Sequence, residues 1–373
     1  MGKVISAGHI CLDVTPVFPD RKGYGQIGDL LVPGKLIRTE AASVHTGGSV
    51  ANTGLALKLL GNDVTLLGKI GSDALGGMVQ NIFAGYGAGG LITDPDSSTS
   101  YSVVLAVPGL DRIFLHNPGA NDTFSSADIP ESALEDAVLF HFGYPPLMKR
   151  MYENCGAELT DMYRRVKAHG IATSLDLAAV DPDSEAGKED WKAILANVLP
   201  DVDFFEPSFE ELCYMLNRPR YDALAAKGGD MTVLPGILRD AEALEDACLE
   251  MGCGAVLVKC GLSGMVYRTG GMSRIRAVGK RLKADPGVWA ERSGIQPCYR
   301  ADTVRSTTGA GDVSIAAFLT ALLNGESPAD CAMLAAAEGA ASVTSYDALG
   351  GILTLDELKR RISAGWKTME VTE

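Results

Sequence analysis

No run of about 18 apolar residues occurs in the 373-residue chain, so no membrane-spanning helix is expected. The first residues, Met1-Gly2-Lys3-Val4-Ile5, lead straight into a strand-like segment without an apolar leader core. A cytoplasmic protein is expected. Basic residues are scarce: 33 Lys and Arg stand against 47 Asp and Glu, a net charge of −14. That balance argues against a nucleic-acid binder, which needs a basic face. It leaves small phosphate-bearing substrates open, because local donors rather than net charge hold a phosphate. The acidic excess itself reads as a solvated surface.

Motifs are missing too. The eight cysteines form no CxxC pair. Cys253 and Cys260 come nearest to a metal-ligand spacing and read as packing residues, the whole set as reduced, buried thiols. Every Gly-Lys pair is followed by Val, Leu, Ile, Glu or Arg, so GxxxxGK followed by Ser or Thr is absent and a P-loop is excluded. Gly8-His9-Ile10-Cys11 does not supply the GxGxxG of a dinucleotide fold. No internal repeat, low-complexity tract or linker stands out.

What is present is globular: 46% apolar residues and 43 glycines. Short apolar runs recur at Lys3–Thr15, Val64–Ile70, Ala137–Phe142, Ile171–Leu177, Val202–Phe205 and Ala255–Val258. Between them lie Gly-rich turns and amphipathic stretches. This alternation predicts an α/β fold, a mostly parallel central sheet with helices on both faces. Ser49 is placed to cap a helix ending at Gly61, and Ser327-Pro328-Ala329-Asp330 and Thr354-Leu355-Asp356-Glu357 read as helix starts. Residues 13–45 and 98–116 break the pattern. Both read as β-ribbons, together a small β lid on one domain spanning 1–373. Residues 218–240 and 279–300 read as insertions.

Two stretches carry chemistry. Ser306-Thr307-Thr308-Gly309-Ala310-Gly311-Asp312 is a small-residue loop feeding a helix over Val313–Leu323. The backbone N–H groups of Gly309, Ala310 and Gly311 can approach an anion, and the helix dipole favours it there. Asp312 in the first turn either caps the helix or accepts a proton from a hydroxyl attacking a phosphoryl group. The other stretch is Thr46-Gly47-Gly48-Ser49-Val50-Ala51-Asn52. Gly47 and Gly48 permit close backbone contact with a ligand, and Asn52 can reach a hydroxyl.

These two motifs, in this order, resemble the ribokinase-like (PfkB) family of ATP-dependent carbohydrate and nucleoside kinases. The resemblance runs from about Lys3 to the last helix. It implies Asp312 as catalytic base and Gly309, Ala310 and Gly311 as anion hole. It implies Asp13, Gly47, Gly48 and Asn52 as substrate contacts. Lys259, Gly261, Gly264, Thr308 and Ser342 fall beside the nucleotide, and Glu211 on Mg²⁺ through water. ATP and Mg²⁺ are the implied cofactors. The chain departs from the family at Ser208, where Asn is usual, and at Ser306, where many members carry the Asp that helps hold a monovalent cation. Cation activation is therefore not expected.

The substrate expected first is a small sugar or sugar acid, phosphorylated on a primary hydroxyl, the partners being that sugar and ATP. A nucleoside comes second, with Tyr101, Phe114 or Phe18 to stack the base. A non-catalytic sugar- or nucleotide-sensing protein on the same fold is the third reading. His116 and Asn117 sit where the lid returns to the body, and Arg112 could meet an acidic substrate. His9 and His141 read as hydrogen-bonded core histidines. Exposed ribbon edges point to a homodimer.

Overall fold

Apolar side chains fill both faces of the central strands. Ile5, Phe140, Leu175, Phe205 and Val256 join one buried cluster, while Val4, Leu139, Phe204, Ala255 and Leu257 join another on the opposite face. A sheet buried on both sides must be covered by helices, and it is. The computed structural model describes residues 2–19, 26–108, 110, 113–282 and 284–370. Its main sheet has eight strands in the order Ser293–Gln296, Met265–Thr269, Ala255–Lys259, Phe204–Phe205, Ala172–Asp176, Ala137–Gly143, Lys3–Gly8 and Val64–Leu67. Six of these run parallel, and the first two named are antiparallel additions at one edge.

Helices Lys149–Ala168, Trp191–Val198, Phe209–Leu216 and Ile237–Glu250 cover one face. Ala310–Leu323 and Pro328–Ser342 cover the other. Ala310–Leu323 is buried all round, from Asp312 to Leu322 without a break. That explains why its sequence shows no amphipathic stripe. Ser327 and Thr354 cap their helices as expected, Thr354 in a capping box with Glu357.

A second, four-stranded sheet forms the lid, ordered Ser43–Gly47, Cys11–Thr15, Tyr101–Leu105 and Ile113–Asn117. Two expected strands divide here. Lys3–Thr15 breaks after Gly8 into one strand in each sheet. Val64–Ile70 breaks into Val64–Leu67 and Lys69–Gly71, the latter pairing with Ile92–Asp94. Among its described residues, the 13–45 ribbon is strand only at its ends, with the short helix Ile27–Leu30 between, because Pro16, Pro19, Pro33 and Gly34 interrupt the ladder there. Asn121 pins the passage from body to lid. Its buried side chain accepts from the Ile10 N–H at 3.1 Å and donates to the Ile10 carbonyl at 2.9 Å, as a strand partner would.

Two further expectations need correction. Gly48, not Ser49, is the helix N-cap; Ser49 is the first helical residue, and its hydroxyl is buried without a hydrogen bond among the described residues. The segments read as insertions are structured parts of the body. Residues 218–240 hold the helix Arg218–Ala225 and the start of Ile237–Glu250, and residues 279–300 supply the edge strand Ser293–Gln296. The thiols are free and mostly buried, with Cys155 an exposed exception. Cys253 donates to the Cys248 carbonyl at 3.3 Å and Cys260 to that of Val258 at 3.6 Å, as packing residues do. Among the described residues, no helix is long and apolar enough to cross a membrane.

Candidate active site

The carboxyl ends of the parallel strands meet at one edge of the sheet, where ligands gather in such folds. The register sets Gly8, Gly143 and Asp176 side by side. Lys259 ends its strand and bridges to Ser208. The helix Ala310–Leu323 points its N-terminus at this edge. Its cap, Gly309, has φ 77°, a left-handed conformation, and a side chain there would strike Ala348. The small loop residues are therefore required by the turn as well as suited to an anion.

Asp312 is buried in the first turn of that helix, as the sequence predicts. It does not cap the helix. Asn52 Nδ2 donates to its Oδ2 at 3.1 Å and Thr53 Oγ1 to its Oδ1 at 3.1 Å. The Tyr144 hydroxyl lies 2.8 Å from both oxygens. Burial pushes the Asp312 carboxyl up, while Tyr144, Lys259, Asn52 and Thr53 pull it down. A carboxylate so balanced can be ionised and still take a proton.

Lys259 Nζ pairs with Asp176 Oδ1 at 2.8 Å, both groups nearly enclosed. Burial alone would lower the lysine, but Asp176, Glu211 and Asp312 hold it above its usual value and keep it cationic. Gly311 lies against the Lys259 side chain, so the cation sits beside the glycine turn that opens the helix. Glu211 is partly committed. Its Oε2 accepts from the Ser208 N–H at 2.7 Å in a capping box for helix Phe209–Leu216. Among the described residues, no group of three or more His, Cys, Asp or Glu is arranged to hold a metal unaided.

On the lid side, Asp13 is half-buried, with Cys11 Sγ donating to it at 3.3 Å. Burial raises its carboxyl above the ordinary value against the hydrogen bonds from Cys11 and Ser102. Gly47 lies against it, and a side chain there would collide with the Asp13 carboxylate. Gly48 packs against His9. His116 hydrogen-bonds Ser102 at 3.0 Å and lies 5.5 Å from the His9 ring, whereas Asn117 donates to Ser98 at 3.1 Å across the open end of the hairpin. Arg112 lies outside the described residues.

His9 and His141 are buried as expected, but they are not fully hydrogen-bonded. Both ring nitrogens of His9, and Nε2 of His141, have no partner among the described residues. Burial lowers both imidazoles to about 3, so they are neutral.

The residues expected beside the nucleotide are more scattered. Gly261 and Gly264 shape the turn after Lys259 with φ 51° and 97°. The Thr308 N–H donates to Ser306 Oγ at 3.2 Å. Ser342, last residue of Pro328–Ser342, gives its hydroxyl to the Gly339 carbonyl at 2.9 Å. Of the aromatics considered for base stacking, Phe18 is buried in the lid's own core with Leu30, Leu105 and Val107.

Three members of the site escaped sequence reasoning: Thr53, Tyr144 and Asp176. Tyr144 and Asp176 follow apolar strands at their carboxyl ends, which is the one local signal that could have found them.

A carboxylate and a cation thus flank a glycine-capped helix N-terminus at the strand ends of an α/β fold that carries a second, four-stranded sheet. Residues 3–354 match the family model for the pfkB family of carbohydrate kinases, and the chain belongs to that family. It is 26% identical over 176 residues to Fructokinase-2 of Oryza sativa subsp. japonica, covering 45% of this chain and 50% of that relative. Over 145 residues it is 30% identical to Fructokinase-1 of the same plant, 38% of this chain and 41% of that one. The matched stretch thus spans about half the length of the first of these relatives. The fold is that of the Xylella fastidiosa fructokinase with bound ATP, at TM-score 0.71 and 20% identity over 98% of this chain and 99% of that one. Ribokinase from Arabidopsis thaliana, complexed with ribose and ATP, gives 0.67 and 19% over 96% and 98%. The nucleoside kinase of Methanocaldococcus jannaschii gives 0.64 and 18% over 98% and 99%.

Proposed function

We propose that this chain transfers the γ-phosphoryl group of ATP to a primary hydroxyl of a small sugar or sugar acid. The observation that carries the reading is the buried Asp312 carboxylate, set in the helix turn that follows Gly309-Ala310-Gly311 and facing Lys259. The acceptor hydroxyl gives its proton to Asp312 as its oxygen bonds to the γ-phosphorus. The bond to the β–γ bridging oxygen breaks, and ADP leaves. The amides of Gly309, Ala310 and Gly311 and the Lys259 ammonium stabilise the transferring charge. Asp13, Gly47, Gly48 and Asn52 hold the acceptor. Gly261, Gly264, Thr308 and Ser342 line the nucleotide. Mg²⁺ would neutralise phosphate charge, and the Glu211 carboxylate, a hard oxygen donor, would be the residue to hold it through water.

Sugar ranks above nucleoside because Phe18 is committed to the lid core, so one of the three candidate base-stacking rings is spent. Closure of the lid sheet over the acceptor and its pairing with that of a second copy are part of this reading. So is a reducing cytosolic location, in keeping with eight free cysteines. ADP release tested across free sugars, sugar acids, sugar phosphates and nucleosides decides it. Turnover of nucleosides alone would move the assignment to a nucleoside kinase. Binding of a sugar with no ADP from any acceptor would favour a sensing protein.

A further inference from the structure

Asp312 is held from two sides. Asn52 and Thr53 each reach one oxygen from the helix Ser49–Leu59, and the Tyr144 hydroxyl sits 2.8 Å from both, coming from a strand end. That shared position is where an acceptor hydroxyl must stand to hand over its proton. We propose that Tyr144 is a positioning residue for the base and a place-holder for the acceptor: its hydroxyl grips the carboxylate in the empty site and gives up an oxygen when a sugar hydroxyl arrives. This rests on the kinase reading above.

The backbone supports it. Tyr144 has φ 71° and ψ 42°, between Gly143 and Pro145. Glycine adopts that left-handed region freely and a bulky residue does so at a cost, and such costs collect at functional sites. The ring is also braced. It stacks on His9 with centroids 6.0 Å apart at 28°, and His9 lies 5.5 Å from His116 of the lid. Both His9 nitrogens are buried and without a partner among the described residues. Unpaired polar atoms thus stand in a row of rings running from Tyr144 through His9 to His116 of the lid. The charged groups facing Asp312 and Tyr144 are Lys259 and Asp176 at strand ends and Glu211 from the helix Phe209–Leu216.

The test uses Tyr144→Phe, which keeps the ring, and Tyr144→Gly, which suits the backbone should the phenylalanine fail to fold. In protein carrying ¹³C-labelled aspartate, Asp312→Asn identifies the Asp312 carboxyl signal. Losing a donor to the ionised form should raise its titration midpoint in the free Tyr144 variants by about one pH unit. With D-fructose as acceptor, the acid limb of kcat/KM, which reports the free enzyme, should move up with it. The acid limb of kcat, which reports the loaded enzyme, should stay in place because the tyrosine has already been displaced. An unchanged titration overturns the proposal, and so do two limbs that move together. No ADP from the unsubstituted protein counts against D-fructose as the acceptor and not against the proposal, and the titration then decides.

Discussion

Lys259 Nζ reaches Asp176 Oδ1 at 2.8 Å across the two-residue strand Phe204–Phe205 that separates their own strands. The pair closes because that middle strand is so short. Both groups are almost enclosed, so each depends on the other for its charge. Lys259→Met should lower stability by roughly 3–5 kcal/mol at pH 8, the usual result of stranding one buried partner. Adding Asp176→Asn should recover most of the loss. Urea unfolding of the three proteins checks this; a single variant as stable as the parent would contradict it.

Asp312→Asn should keep the fold, since Thr53 and Tyr144 can still donate to the amide oxygen. Turnover should fall by roughly two to four orders of magnitude, the range of a lost general base. Nucleotide affinity should be retained. Steady-state rates and nucleotide titrations give the answer, and near-normal turnover would remove Asp312 from the chemistry.

Asp13 should act on the acceptor. A charge-assisted hydrogen bond to a sugar hydroxyl is worth on the order of 1.5–3 kcal/mol, so Asp13→Ala should weaken sugar binding roughly 10- to 150-fold. ATP affinity should barely move. Calorimetric titration of each ligand separates the cases, an equal loss of both marking a structural role.

Ser306 accepts from the Thr308 N–H and carries no charge to offset the dehydration of a cation. Turnover should change little between K⁺ and tetramethylammonium at constant ionic strength. Large, saturable activation by K⁺ would show that backbone carbonyls hold the ion unaided.

Glu338 gives a pH-dependence with a definite sign. Its buried carboxylate accepts from the Leu353 N–H, and burial pushes it up to about 8. Between pH 4.5 and 8 the folded form keeps a proton that the unfolded chain has lost, so this group's stabilisation is full at low pH and fades as pH rises through 8. Glu338→Gln should therefore gain on the parent protein as pH rises from 5.5 to 8.5, on the order of 3 kcal/mol. Unfolding free energies at the two values test this; a constant gap would mean that Glu338 does not titrate with folding.

The α/β class was legible because a parallel sheet writes continuous apolar runs between helical ones. The glycine turn was legible because its requirements are local: Gly309 must be left-handed, and the helix after it starts at Ala310. The lid was legible only in part. Hairpin 98–116 shows strand formers on both arms, whereas the proline-rich stretch between Thr15 and Ser43 holds only one short helix among its described residues.

By itself, then, the order of residues determined the sheet, the glycine turn and the place of Asp312 in its helix, since each follows from contacts within a few residues. Tertiary structure alone decided what surrounds that carboxylate. Tyr144 and Asn52 lie 168 and 260 residues from Asp312, and Lys259 finds Asp176 over 83. Such pairs leave no periodicity in the chain. They exist because parallel strands bring their carboxyl ends to one edge, where burial makes each polar group take whatever partner the fold supplies.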